Sequence, residues 1–203
     1  MSPMKRMGLV VVILVVLVGT CGLTTCSTYN SLVGLEQAVQ SQWGQVQNVY
    51  QRRADLVPNL VQTVKGAAAH ERGTLQAVVE ARAKVGQTAA QAQNAPSNPA
   101  ELERYQQAQT QLSSALSRLM VVVERYPQIR ATENFRDLQA QLEGTENRIT
   151  VERMRFNEAA RAFNTKRNTF PTVMVAGLFG GRFKEKVYFQ AQAGSEQAPK
   201  VNF

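Results

Sequence analysis

Three kinds of hydrophobic pattern succeed one another along the chain. The first is a continuous run: Gly8 to Thr25 holds eighteen residues without a charge, opening with Leu9-Val10-Val11-Val12-Ile13-Leu14-Val15-Val16-Leu17-Val18. As a helix rising about 1.5 Å per residue the run reaches roughly 27 Å, close to the ~30 Å hydrocarbon thickness of a bilayer. It predicts a membrane-spanning helix. A cleaved signal peptide is the competing reading, since Gly19-Thr20-Cys21 and Thr24-Thr25-Cys26 offer small residues to a peptidase.

The second pattern is heptad-like and fills most of the chain. Leu32, Val39, Val46, Arg53 and Leu60 recur every seventh residue, with Leu35, Val49 and Leu56 on the adjoining row, and so lie on one helical face. A shorter stripe follows at Leu75, Val78, Val79, Arg82 and Val85. Asn94-Ala95-Pro96-Ser97-Asn98-Pro99 reads as a turn, after which Asn98, Pro99 and Glu101 form a capped helix start. Leu102, Tyr105, Leu112, Leu116, Leu119, Val123 and Tyr126 then recur at steps of three, four and seven up to Pro127. Phe135, Leu142, Ile149, Phe156, Phe163 and Phe170 are six apolar residues spaced by seven, predicting a helix from about Glu133 to Thr169 that Pro171 closes. The third pattern is a short aromatic tail: Val173-Met174-Val175-Ala176-Gly177-Leu178-Phe179, then Phe183, Tyr188, Phe189 and Phe203. So aromatic a tail is expected to pack on the helices or to bind a partner as a peptide.

Polar-faced helices cannot bury single stripes alone. The predicted fold is therefore all-α: an N-terminal transmembrane helix, an up-and-down bundle of about four long helices, and the tail. The boundaries expected are an anchor over residues 1–27, a helical domain over 28–170 and a packing segment over 171–203. A homo-oligomeric coiled coil is the alternative.

Lys5 and Arg6 precede the apolar run, and the next basic residue after it is Arg52. The positive-inside bias thus predicts a cytoplasmic N-terminus and an extracytoplasmic body. Cys21 and Cys26, five apart on a helix, sit roughly 8 to 9 Å apart and are too distant for a disulfide. They read as small apolar residues of the span. Leu23-Thr24-Thr25-Cys26 also resembles a lipoprotein cleavage box with Thr in the place usually held by Gly, Ala or Ser, which makes Cys26 a candidate lipidation site.

The inventory of reactive groups is thin. The 203 residues contain a single His, His70, and two Asp, Asp55 and Asp137, while both Cys fall in or beside the apolar run. Neither a Cys/His zinc cluster, an acidic calcium loop nor a Cys–His catalytic pair can be assembled. No catalytic, cofactor or metal site is expected. The net charge of +8 is uneven: from Asn147 to Lys186 nine basic residues stand against three acidic ones, a local excess of six. That predicts a solvated basic face, with attraction to anionic lipid as the sharper alternative. No nucleic-acid-binding motif and no small-molecule substrate are indicated.

The densest polar cluster surrounds a proline. Arg52, Asp55 and Asn59 share a helix face, and Pro58 removes a backbone donor and leaves the carbonyl near Ala54 without its usual partner, which predicts a kink. Arg52, Arg53, Asp55 and Asn59 are expected to satisfy that opened turn and to bridge to Glu146, Asn147 or Arg148 on the last long helix. These eight residues, Pro58 included, form the candidate polar interaction site. His70-Glu71 reads as a helix-terminal pair, Asn157 and Asn164 as register-setting residues at the seam edge, and Trp43 and Tyr50 as core.

The segment Arg52-Arg53-Ala54-Asp55-Leu56-Val57-Pro58-Asn59-Leu60-Val61, followed by Val64-Lys65-Gly66 and His70-Glu71, resembles the signature of the LemA family. Tyr29-Asn30, Ala81-Arg82, Tyr126-Pro127, Glu133-Asn134-Phe135, Leu142 to Ile149, Arg155-Phe156-Asn157 and Phe163-Asn164 extend the resemblance over Tyr29 to Phe189. It implies a single-pass bacterial membrane protein with a helical-bundle domain and an unsettled molecular function. It also implies a cytoplasmic body, against which the Lys5 and Arg6 bias is given the greater weight. The functional expectation is a non-catalytic adaptor or scaffold at the envelope, contacting lipid through its N-terminal helix and binding a protein partner. The alternative is a component of an envelope hydrolase with its polar site at Pro58.

Overall fold

The computed structural model describes residues 3–66 and 71–190, and every regular element among them is helical. His70 and Phe203 lie outside the described residues, as do the side chains of Lys5, Arg6 and Cys21. Helix α1 spans Pro3–Lys65 as one uninterrupted helix of 63 residues, passing residues 27 and 28 without a break and continuing through Pro58. The apolar run, which is long and apolar enough to cross a membrane, is thus the first part of the same helix that opens the folded domain. Its side chains at Val11 to Val18 are exposed.

Helix α2 covers Arg72–Gln91, α3 Pro99–Val123, α4 Pro127–Arg130, α5 Glu133–Asn168 and α6 Thr172–Leu178. The Asn98 side chain accepts from the amides of Ala100 and Glu101, and the Glu101 carboxylate accepts from the Asn98 amide group. This reciprocal cap, with Pro99 at the first helical position, fixes where α3 starts. Thr132 caps α5 through Phe135 N–H.

Helix α5 packs along α1, α2 packs along α3, and α1 also meets α2. Because Phe135 and Leu142 share a core with Leu60 and Val64, while Phe156 and Phe163 share one with Leu32, Val39 and Trp43, α5 runs antiparallel to α1. The near half, next to the apolar run, is aromatic; the far half is aliphatic. Heptad positions Leu32, Val39, Val46, Arg53 and Leu60 on α1, and Phe135 to Phe163 on α5, are all buried. The sixth member of the α5 series is not a core residue. Phe170 is 75% exposed, because α5 ends at Asn168 and the chain turns before the next heptad position is reached.

Candidate functional site

Arg53 occupies a heptad position where its neighbours seven residues away are Val46 and Leu60, so the helix carries its charge into the seam. It is 1% exposed. A dry guanidinium is tolerated only when its donors are matched, and three helices contribute. From α3, Ser113 Oγ accepts at 2.7 Å, Gln109 Oε1 at 2.6 Å and the Gln109 carbonyl at 3.2 Å. From α5, the Glu146 carboxylate forms the ion pair. From α1 itself, the Tyr50 ring lies 5.2 Å from the guanidinium carbon. The Glu146 side chain is 48% exposed, so one charge of the pair is buried while the other is screened by solvent.

A cavity of about 90 Å³ adjoins this network, lined by Tyr50, Arg53, Gln109, Ser113, Glu146 and Arg153 among others. Arg53 Nε and Gln109 Nε2 are buried there without a partner in the protein. Burial holds the Tyr50 and Tyr105 hydroxyls above the usual tyrosine value; for Tyr50 the neighbouring Arg153 and Arg53 offset part of that effect.

Of the eight residues singled out around Pro58, the fold brings Arg53 and Glu146 together. Arg52, Asp55, Asn59, Asn147 and Arg148 are exposed, and Asp55 accepts from Gln51 Nε2 at 2.8 Å. The opened turn is satisfied from elsewhere: Arg82 Nε on α2 donates to the Ala54 carbonyl at 2.8 Å, the acceptor that Pro58 deprives of its i+4 amide. This corrects the expectation that Arg52, Arg53, Asp55 and Asn59 fill that role. Their side chains start beside the opened carbonyl on the same helix, whereas an arginine on the packed neighbour reaches it from across. Gln109 and Ser113 stand outside the eight residues that the sequence pattern marks. For Gln109 the signal was present, since it fills the step between Tyr105 and Leu112 in the apolar stripe of α3.

A second polar centre organises the tail. Residues 183–190 lie extended against α5, where the Asn164 amide donates to the Lys186 carbonyl and accepts from the Lys186 amide, each at 2.8 Å. Seven residues earlier, Asn157 holds Phe189 in the same way at 3.0 and 2.8 Å. Lys186 Nζ is buried between Glu36 and Ser97, and Arg182 takes the other Glu36 oxygen at 2.7 Å. Phe183 and Phe189 are buried against Tyr29, Trp43, Phe156 and Phe163.

Between α3 and α5 an open groove of about 800 Å³ runs past Leu116, Met120 and Leu142, with Glu143, Glu146 and Asn147 along it. Glu146 therefore serves both the buried centre and the groove.

A family model described as LemA family matches residues 42–203. Two curated relatives, magnetosome proteins MamQ 1 and MamQ 2 of Paramagnetospirillum magneticum, are each 34% identical over 83 residues. That match covers 41% of this chain and 30% of each relative, less than a third of their length. Magnetosome protein MamQ of Magnetospirillum gryphiswaldense is 24% identical over 192 residues, covering 85% of this chain and 68% of that protein.

Proposed function

The chain belongs to the LemA family, and from that premise we propose that it is a membrane-anchored, non-catalytic adaptor whose α3–α5 groove receives a protein partner at the bacterial envelope. The observation that carries this reading is the groove: its floor is apolar at Leu116, Met120 and Leu142, its wall acidic at Glu143 and Glu146. Such a surface suits an amphipathic segment bearing basic residues, with the flexible Met120 adapting to its shape. The architecture that fits is an up-and-down arrangement of α1, α2, α3 and α5. Continuity of α1 with the apolar run supports a scaffold, because it fixes the groove's height and rotation relative to the bilayer instead of leaving it on a loose tether. Lys5 and Arg6 support an extracytoplasmic domain.

Photo-crosslinking side chains placed at Met120 and Gln139 in the groove, and at Gln87 on α2 as a control, test the reading in intact cells. A discrete adduct of one mass from the groove positions and none from Gln87 is expected. No adduct from either groove position, or the same adducts from all three, overturns it.

A further inference from the structure

The turn beyond α5 presents an apolar surface that the domain does not cover. Thr172, Val175 and Ala176 of α6 face inward, while Val173, Met174 and Leu178 on its other side, with Phe170 before it and Phe179 after it, are exposed. Contiguous exposed apolar side chains of this size, on a domain whose other exposed hydrophobics among the described residues are scattered, call for a partner.

Its position relative to α1 identifies that partner. Phe179 packs on Tyr29 with ring centroids 4.8 Å apart, and Phe183 meets the same ring at 5.3 Å. Tyr29 lies four residues beyond Thr25, where the apolar run gives way to the polar Ser27, Thr28 and Asn30, and so about 6 Å further along the helix. With the run filling the hydrocarbon, that height is the headgroup layer, where tyrosine is favoured and which is itself several ångströms deep. The antiparallel course of α5 delivers the turn to this level, and the exposed Lys166 and Lys184 flank it with positive charge.

We propose that the α6 turn is a second membrane contact: Phe170, Met174, Leu178 and Phe179 enter the interface of the same leaflet, and Lys166 and Lys184 meet anionic headgroups. The domain is then held at two points, which fixes its tilt as well as its height. This inference goes beyond the partner groove and depends on α1 spanning the bilayer.

The test uses the full chain, freed of Cys21 and Cys26 by substitution with Ser and reconstituted in vesicles of phosphatidylcholine with phosphatidylglycerol. Single spin labels are placed at Met174, Leu178, Val15 in the apolar run, and Val121 on the far end of α3. Collision with oxygen exceeding collision with a water-soluble nickel chelate is expected at Met174, Leu178 and Val15, with the reverse at Val121. The K166Q/K184Q variant should shift the Met174 ratio toward water in these vesicles and leave it unchanged in phosphatidylcholine alone. Lipid exposure at Val15 with water exposure at Met174 and Leu178 overturns the proposal while leaving the anchor intact. Water exposure at Val15 as well removes the anchor on which both readings stand. Dipolar broadening between labels at Met174 on separate chains assigns the patch to a second copy and equally overturns the lipid contact.

Discussion

The near and far halves of the domain solve the same packing problem with different parts. In the far half, α1, α2, α3 and α5 supply an aliphatic core of Val57, Leu60, Val78, Leu112 and Leu119, with Phe135 as its large ring. In the near half α1 and α5 outrun the others: at 1.5 Å per residue, α5 is about 54 Å long against about 30 Å for α2. The overhang leaves a strip that α3 covers only in part, through Leu102 and Tyr105. The tail covers the rest, with Phe183 and Phe189 completing a core of Trp43, Tyr105, Phe156 and Phe163. Aromatic rings suit this role because few residues must bury much area. The contrast teaches that unequal helix lengths, rather than a separate domain, explain why the tail is aromatic. Arg53 sits where the two cores meet, one turn after Tyr50 in the near core and next to Ala54 in the far one.

The most severe way to break the comparison is to remove that junction. Arg53→Ala leaves Gln109 and Ser113 without their buried partner and opens a cavity among three helices, with an expected loss of about 3–5 kcal/mol. Glu146→Gln should cost only about 1 kcal/mol, since the carboxylate is half in solvent. Denaturant unfolding in detergent micelles, followed by circular dichroism, measures both; equal losses would show that the ion pair, not the buried guanidinium, joins the halves.

Smaller and confined to one half is the release of the tail. Asn164→Ala strands the buried amide and carbonyl of Lys186, and should cost about 2–3 kcal/mol. Hydrogen exchange should accelerate at residues 186–189 while amides around Leu112 to Leu119 keep their protection. Uniform acceleration would mean that the two halves unfold as one unit.

The far half has its own distinctive bond, from Arg82 to the Ala54 carbonyl. Arg82→Met should cost about 1 kcal/mol, and less in a Pro58→Ala background, where residue 58 again supplies the helical amide. Additive losses in the double-mutant cycle would show that Arg82 acts by packing alone.

The helices were legible because heptad spacing survives in the sequence wherever a face is buried, and the Asn98 and Pro99 start is encoded within four residues. Arg53 was visible as a charge in an apolar series, and Glu146 as a residue on the facing helix. What sequence could not reveal depends on which faces meet. Arg82 reads as one more stripe residue until α2 is laid beside the opened turn of Pro58. Asn157 and Asn164 read as seam residues until the tail is found beside them, because their partners are backbone atoms, which carry no side-chain signature. Phe170 fits the heptad and is exposed: the stop is carried by Pro171, and spacing alone does not register it.

The mildest perturbation separates the halves by pH. Tyr50 and Tyr105 both belong to the near core, and burial raises both hydroxyls above the ordinary value near 10. Below pH 10 folded and unfolded chains keep these protons and the two groups contribute nothing to pH dependence. Above it the unfolded chain loses them while the folded chain retains them, so stability falls as pH rises from about 10 through the folded values. The near half should therefore loosen first, with exchange at residues 186–189 rising between pH 10 and 11 before that of Leu112 to Leu119, after correction for the intrinsic rate. Tyr105→Phe should reduce the slope, because it removes one of the two hydroxyls whose ionisation burial opposes. A slope unchanged in the Tyr50→Phe/Tyr105→Phe double variant would show that the near-core hydroxyls do not carry the alkaline weakness and would overturn the assignment.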